Sequence, residues 1–281
     1  MEIEVASELG FCSGVRRAIR ILKAEVRKRG SLETLGAVVH NSQVMESLAS
    51  MGIAAVDTLA DIRGKTVVIS SHGSTPDVYA QLKSRGIAAI DATCPIVRRA
   101  QREARSLARS GFAVVIFGDA NHREVRGLLG WAGDGSVAVT GAEAVAQAGL
   151  ALRRIAIISQ TTQSRQRFLQ FVTQVVDSVR FQELMVVNTL CPTTQKRQQI
   201  AVELARRSDL VLVIGGRNSA NSQHLAEICS SVTEARLVES AAEIDTTRLG
   251  RKRIGIVAGA STAKETISEV VERLRSSHPG S

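Results

Sequence analysis

The segment Asp91-Ala92-Thr93-Cys94-Pro95-Ile96-Val97-Arg98 (residues 91–98) carries a cysteine at the end of a strand-like run and at the start of a helix-like run. Two further segments have the same arrangement: Gly10-Phe11-Cys12-Ser13-Gly14-Val15-Arg16 and Asn188-Thr189-Leu190-Cys191-Pro192-Thr193-Thr194. Each third of the 281-residue chain therefore contributes one thiol at a strand-to-helix junction.

The spacing that follows each cysteine also recurs. A polar residue lies 28 positions later in every case: His40 after Cys12, His122 after Cys94 and Ser219 after Cys191. The cysteines themselves are 82 and 97 residues apart. Such recurrence is typical of an internal repeat. Three repeats around an axis would bring the three sulfur atoms together.

Short β-branched runs alternate with amphipathic segments along the chain. Strands are predicted at 36–39, 66–70, 87–90, 112–117, 154–159, 184–187, 210–214 and 253–257. Near-continuous apolar strands separated by helices are typical of parallel sheets that are covered on both faces. We therefore predict an α/β fold of three similar small domains with parallel sheets, related by pseudo-threefold symmetry. Their predicted bounds are 1–93, 94–190 and 191–281.

Polar loops follow the predicted strands, at the sheet edge where parallel α/β proteins bind their ligands. Six of them are rich in His, Asn, Ser, Thr or Gly: 40–43, 71–74, 118–124, 160–164, 215–222 and 258–262. Any single loop could serve only to cap a helix. Together, helix amides, hydroxyls and imidazoles would suit a diphosphate. The chain has neither a P-loop nor a Gly-x-Gly-x-x-Gly fingerprint, so a nucleotide cofactor is not supported.

The cysteines favour metal binding or catalysis over structural disulfides, because we expect the chain in a reducing compartment. Zinc sites usually show paired ligands such as Cys-x-x-Cys, whereas distant single cysteines suit a cubane iron-sulfur cluster with one open iron. The spacing alone leaves both interpretations open. Cys229 lies in the helix-like run Ala226-Glu227-Ile228-Cys229-Ser230 and is interpreted as a buried structural thiol.

Composition and charge limit the class of protein. The chain is 44% apolar, and no apolar run approaches the ~18 residues of a membrane span. The acidic start, Met-Glu-Ile-Glu, differs from a secretory signal, so we expect a cytoplasmic protein with no membrane segment. The net charge of +9 raises the possibility of a nucleic-acid partner. No nucleic-acid-binding motif supports it.

Much of the positive charge falls on two predicted helices with spacings of +4, +3 and +4, which form one stripe on each helix. The stripes consist of Arg16, Arg20, Lys23 and Arg27, and of Arg98, Arg102, Arg105 and Arg109. Two interpretations stay open. The stripes are either solvated helix faces or a docking surface for an acidic electron carrier such as ferredoxin or flavodoxin.

Nine short motifs occur in order along the chain. They are Gly10-Phe11-Cys12-Ser13-Gly14-Val15, Val38-Val39-His40-Asn41, Ser71-His72-Gly73, Asp91-Ala92-Thr93-Cys94-Pro95, Asn121-His122-Arg123-Glu124-Val125, Gln160-Thr161-Thr162, Cys191-Pro192-Thr193-Thr194-Gln195-Lys196-Arg197-Gln198, Asn218-Ser219-Ala220-Asn221-Ser222 and Ala258-Gly259-Ala260-Ser261. Together these motifs resemble those of the 4-hydroxy-3-methylbut-2-enyl diphosphate reductase (LytB/IspH) family, and the resemblance covers nearly the whole chain. It implies three similar α/β domains around a central [4Fe-4S] cluster held by Cys12, Cys94 and Cys191.

The same resemblance implies a reaction. Two electrons and two protons remove the hydroxyl of 4-hydroxy-3-methylbut-2-enyl diphosphate as water, giving isopentenyl and dimethylallyl diphosphates. This is the last step of the non-mevalonate (MEP/DOXP) isoprenoid pathway.

The resemblance also assigns roles to residues. Diphosphate binding falls to His40, His72, His122, Ser219, Asn221 and Ser261. The substrate hydroxyl is expected near Glu124 and Thr161. Since water leaves more readily than hydroxide, a carboxylic acid there is a natural proton source. We expect Glu124 to donate the proton, with Thr161 completing the relay and His122 beside them.

A rival function is an iron-sulfur regulator, in which the same cysteines sense oxygen or iron and the basic helix faces bind nucleic acid. The many uncharged polar loops argue against it. A structural zinc protein is a third possibility, which metal analysis would separate from the others.

Overall fold

The computed structural model of the chain describes residues 2–149, 153–250 and 252–277. Within these ranges the strands are β1 (Glu2–Val5), β2 (Leu32–Leu35), β3 (Ile53–Val56), β4 (Thr66–Ile69), β5 (Ala88–Asp91), β6 (Ala113–Phe117), β7 (Val137–Val139), β8 (Arg154–Ser159), β9 (Glu183–Val186), β10 (Leu210–Ile214), β11 (Glu234–Val238) and β12 (Arg253–Ala258). The α-helices are α1 (Ser13–Arg29), α2 (Ser42–Ser50), α3 (Pro76–Ser84), α4 (Pro95–Arg109), α5 (Arg123–Ala132), α6 (Ala142–Gln147), α7 (Arg165–Ser178), α8 (Pro192–Ala205), α9 (Ala220–Ser230) and α10 (Lys264–Ser276).

The strands form three four-stranded parallel sheets, with the orders β3-β2-β4-β5, β7-β6-β8-β9 and β11-β10-β12-β1. The three orders are the same when β2, β6 and β10 are taken as equivalent. The predicted fold of three small α/β units with parallel sheets is therefore confirmed. The third sheet takes its last strand from the start of the chain, since Ile3 pairs with Ile254.

The chain divides into two compact units. The one-sheet unit comprises Met1–Arg16, Val39–Ser50 and Pro192–Ser281, and it contains the sheet β11-β10-β12-β1. The two-sheet unit comprises Arg17–Val38 and Met51–Cys191, and it contains the other two sheets. The domain bounds 1–93, 94–190 and 191–281 stay a prediction.

The central strands are buried on both faces, which explains their continuous apolar sequence. In β6, Val115 and Phe117 pack with Phe171 of α7 on one face. Val114 and Ile116 pack on the other face with side chains of α4 and α5. The carboxyl ends of such fixed strands are firm supports for the loops that follow them. No helix in the described ranges combines the length and the apolarity that crossing a membrane requires.

Seven of the eight predicted strands match observed strands to within one residue at each end. The strand predicted at 36–39 is wrong, because β2 ends at Leu35 and Gly36 adopts a φ of +80°. Val38 and Val39 are fully buried loop residues, so their apolar character reflects burial and not strand pairing.

Candidate active site

Each of the three cysteines lies between the last strand of a sheet and the helix that follows it. Cys12 precedes α1, Cys94 precedes α4 and Cys191 precedes α8. Each cysteine N–H donates to a carbonyl two residues past the end of the neighbouring central strand: Cys12 to Ala260 (3.0 Å), Cys94 to Ser71 (3.0 Å) and Cys191 to Thr161 (2.9 Å). The repeat inferred from the spacing thus has a counterpart in the backbone hydrogen bonds.

Two of the cysteine loops share a further restraint. Three residues before Cys94, the Asp91 side chain accepts the N–H of Thr93 at 2.8 Å. Three residues before Cys191, the Asn188 side chain accepts the N–H of Leu190 at 3.0 Å. Such turns replace backbone pairing with a side-chain acceptor and fix the loop.

The thiols fit a metal-bound role. None of Cys12, Cys94 and Cys191 takes part in a disulfide in the described ranges, and each is partly buried. The Cys12 sulfur accepts the N–H of Val15 at 3.4 Å. The thiolate is the form of cysteine that binds a metal. Cys229 differs, because it is fully buried inside α9 and burial raises the pKa of its thiol to about 12. Its predicted burial is confirmed.

Glu124 and Thr161 meet in the two-sheet unit. Glu124 lies in the first turn of α5 and is 2% exposed. The Thr161 N–H donates to its Oε1 at 2.6 Å, and the Thr161 hydroxyl to its Oε2 at 3.0 Å. Burial raises the pKa of Glu124 to about 7, although both hydrogen bonds act to lower it. A carboxyl group that is partly protonated near neutral pH can act as a general acid.

Replacement of Glu124 by Gln is expected to stabilise the fold at pH 8 relative to the parent, and not at pH 5. The folded pKa of about 7 exceeds the ordinary value of 4.5. Between these values the native state binds more protons than the unfolded state, so the free energy of unfolding falls as pH rises. The loss amounts to about 3 kcal/mol by pH 8. Urea unfolding of both proteins at the two pH values measures it, and a difference independent of pH would contradict the raised pKa.

His72 and His122 face each other in the same unit. Their ring centroids are 5.5 Å apart in an edge-on arrangement. His122 caps α5, and its Nδ1 accepts the N–H of Glu124 at 3.2 Å. In a neutral imidazole this places the proton on Nε2, which can then donate to an anion. One helix terminus thus carries both a proposed anion ligand and the buried acid.

The one-sheet unit contains His40, Ser219, Asn221 and Ser261. Ser219 caps α9, Asn221 lies in its first turn, and Ser261 follows β12. All three are buried. Neither polar atom of the Asn221 side chain has a hydrogen-bond partner in the part of the chain that the structure describes. An unsatisfied buried amide is costly, so this position is suited to a polar ligand.

The loop that carries His40 lies against the turn before α9. A Cβ on Gly216 would overlap the carbonyl oxygen of His40, so only glycine permits this approach. The Ser219 N–H donates to the Gly216 carbonyl at 3.0 Å. A second link joins α2 to α10, where the Thr266 hydroxyl donates to Gln43 at 2.6 Å. The structure thus brings His40 and Ser219 to neighbouring turns.

Sequence reasoning missed two residues. Thr162 lies three positions past the end of its strand, as do His72 and Ser261. Aligning the three loops on their strand ends would have found it. Arg197 of α8 is 6% exposed, and its Nη1 donates to the Gly259 carbonyl at 3.5 Å. It is a buried cation beside the Ser261 loop, and its sequence carried no signal of that burial.

Three comparisons with known proteins identify the same family. A model described as LytB protein matches residues 3–275. A 4-hydroxy-3-methylbut-2-enyl diphosphate reductase from Dehalococcoides mccartyi is 48% identical over 277 residues, which is 98% of either chain. Its namesake from Geobacter metallireducens is 38% identical and covers 98% of this chain and 97% of that one.

Two solved structures are also similar. The structure of an (E)-4-hydroxy-3-methyl-but-2-enyl diphosphate reductase has a TM-score of 0.70 and 32% identity, covering 98% of this chain and 99% of its own. The E-1-hydroxy-2-methyl-but-2-enyl-4-diphosphate reductase from Plasmodium falciparum has a TM-score of 0.92 and 23% identity, covering 98% and 88%. The second likeness bears on the fold alone.

Proposed function

The chain belongs to the LytB protein family, and from this premise we propose how its residues share the work of the reaction. The enzyme reduces 4-hydroxy-3-methylbut-2-enyl diphosphate to isopentenyl and dimethylallyl diphosphates, the final step of the non-mevalonate isoprenoid pathway. The reaction consumes two electrons and two protons. The C–O bond breaks, one proton leaves with the oxygen in water, and the other ends on carbon. A nucleic-acid-binding regulator is not favoured.

We assign a [4Fe-4S] cluster to Cys12, Cys94 and Cys191. This assignment rests on the nature and position of the three residues. Each is a partly buried thiol that precedes a helix and lies at the same point of its repeat. When bound, such a cluster supplies electrons and an open iron site. These thiols are suited to a reducing compartment, so the cytoplasmic location remains part of the proposal.

Glu124 is the proposed proton donor, and this assignment rests on one observation. Its carboxyl group is buried, has a pKa raised to about 7 and is held at both oxygens by Thr161. The group can therefore deliver a proton to the departing hydroxyl, so that water leaves. The Thr161 hydroxyl, 3.0 Å from Oε2, is placed to relay that proton.

The diphosphate is assigned to three kinds of polar side chain. The proposed ligands are the imidazoles of His40, His72 and His122, the hydroxyls of Ser219 and Ser261, and the amide of Asn221. Small hydroxyl and amide groups leave room for phosphate oxygens, and the N-terminus of α9 adds a favourable dipole. The unsatisfied amide of Asn221 supports this most directly.

The test is anaerobic turnover of 4-hydroxy-3-methylbut-2-enyl diphosphate by the purified protein with a reduced one-electron dye. We expect both isoprenoid diphosphates as products, together with iron and sulfide in the protein. Zinc in place of iron, or salt-dependent nucleic-acid binding without turnover, would contradict the proposal.

An acidic electron carrier is the proposed physiological partner. All eight basic residues of the two stripes are exposed. On α4, however, Arg98 is paired with Asp91 at 2.7 Å and Arg105 lies over the ring of Trp131, 5.4 Å from its centroid. Arg102 makes no hydrogen bond or ion pair to any described residue, which leaves it available to a partner.

Charge reversal of Arg102 to Glu is expected to raise the KM for a reduced flavodoxin about fivefold at low ionic strength. Interactions between exposed charges contribute at most about 1 kcal/mol. Turnover with the small dye should not change. Arg273→Glu, an equal charge change on α10, is the matched control. A rise in KM for both variants would indicate only net charge and not a docking surface.

A further inference from the structure

One face of α5 connects the buried acid with the loop that carries His72. Glu124, Gly127 and Trp131 lie at positions i, i+3 and i+7 of this helix, so they share one face. His122 caps the same helix. Whatever holds the His72 loop against this face also sets the distance from His72 to His122.

Trp131 makes the direct contact. Its Nε1–H donates to the carbonyl of Ser74 at 2.9 Å, two residues past His72. The helix and loop backbones lie close together, because a Cβ on Gly127 would lie 3.8 Å from the Ser74 carbonyl oxygen and 3.9 Å from that of His72. The indole therefore joins the far end of α5 to the loop that carries His72.

A second glycine shows how little space separates the same surfaces. A Cβ on Gly130 would lie 2.5 Å from Cγ2 of Thr75 and 2.6 Å from its Cβ. Thr75 caps α3, where its hydroxyl accepts the N–H of Val78 at 3.4 Å. This close approach therefore requires glycine at position 130, and the indole hydrogen bond holds the loop beside α5.

The other end of the loop is held by the segment that follows β2 and by a turn of its own backbone. The Ser71 hydroxyl donates to the Val38 carbonyl at 2.7 Å, and the Gly73 N–H donates to the Ser70 carbonyl at 3.1 Å. His72 thus lies between an attachment to the segment after β2 and an attachment to α5. Loss of the second would loosen the His72 loop on α5 while Glu124 kept both hydrogen bonds to Thr161.

We propose that Trp131 is a positioning residue for diphosphate binding, which acts by holding the His72 loop on α5. This inference rests on the proposed role of His72 as a diphosphate ligand. The role of Trp131 concerns binding and not proton transfer, because Glu124 lies on α5 and His72 lies on the loop. Loss of the indole N–H therefore weakens affinity for the diphosphate and leaves the proton transfer unchanged.

Trp131→Phe removes the N–H donor and keeps an aromatic ring. We expect the KM for the substrate and the dissociation constant for inorganic pyrophosphate to rise together, by up to about tenfold, the equivalent of one hydrogen bond. The kcat should stay within about twofold. Calorimetric titration of the holoenzyme with pyrophosphate reports binding without turnover, so it decides the role of Trp131 even if the parent fails to reduce the substrate.

Two further variants guard against a merely structural effect. Arg105→Gln removes the cation over the ring but leaves the N–H, and the dissociation constant for pyrophosphate should match that of the parent. Gly130→Ala pushes on Thr75 from the same helix face without touching the indole, and it should raise both constants. Unchanged pyrophosphate affinity in Trp131→Phe and Gly130→Ala, with or without a lower melting temperature, would overturn the proposal. So would a lower kcat at an unchanged KM.

Discussion

Replacement of Glu124 by Gln is expected to lower kcat about 10³-fold, within the range that general acid catalysis contributes. Glutamine has the shape of the protonated acid, so its oxygen can still accept the Thr161 N–H. It has no acidic proton to give to the departing hydroxyl. Hydroxide would then have to leave unassisted. Steady-state turnover with a reduced dye under anaerobic conditions measures the effect.

The matched control is Glu143→Gln, which changes an exposed carboxylate in the first turn of α6. Its kcat should equal that of the parent. Glu124→Gln itself should keep its iron content and brown colour, because the substitution leaves all three thiols in place. A variant with normal iron and near-parental kcat would show that the proton comes from another group.

The pH dependence of turnover tests the role of Glu124 independently. With a pKa raised to about 7, the protonated fraction of Glu124 falls as the solution becomes alkaline. The kcat of the parent should therefore decline above neutral pH. The residual rate of Glu124→Gln should lack this decline.

The sequence predicted the parts of the fold that repeat. Continuous apolar runs located central strands such as β6, β8 and β10, because both of their faces are covered. The spacing from Cys12, Cys94 and Cys191 to the next polar loop predicted equivalent topology. Both signals are local, and each occurs three times.

Five strands were missed, β1, β2, β3, β7 and β11, whereas the edge strands β5 and β9 were predicted. β1, β3, β7 and β11 lie at sheet edges, and each has at most one buried residue. β1 and β11 are interrupted by charged residues, and β3 and β7 are apolar runs of only four and three residues. The pairing of β1 with β12 joins the two ends of the chain, and no local pattern can specify such a partner.

The candidate site was predicted from motifs, and the structure shows a contact between two of its residues. The contact of Glu124 with Thr161 is observed. The burial of Glu124 could not be predicted, because Arg123-Glu124 resembles a charge pair on the surface. Burial decides the pKa of that carboxyl, and burial depends on how the loop after β8 closes over α5. The role of Trp131 was likewise invisible, because a lone tryptophan in a helix is usually a core residue.

Replacement of Cys94 by Ser is expected to reduce turnover by more than about 100-fold. Removing groups that only support metal ligands already costs about 10- to 100-fold in affinity or activity, and a neutral hydroxyl is a poor substitute for a thiolate. Bound iron should fall in parallel. The melting temperature should also fall, since metal binding is coupled to folding when the ligands come from distant segments. Metal analysis, dye-driven turnover and thermal unfolding measure the three effects.

The four cysteines of the chain supply their own control. Cys229→Ala removes a fully buried sulfur from α9 and should cost about 1 kcal/mol of stability, while iron content and turnover stay at the parental level. Cys12→Ser and Cys191→Ser should behave as Cys94→Ser does, because the three thiols occupy equivalent points of the repeat. Full iron content in Cys12→Ser would be the most damaging result. It would mean that Cys12, which follows β1, does not bind the cofactor. The inference that each repeat contributes one cluster ligand would then be wrong.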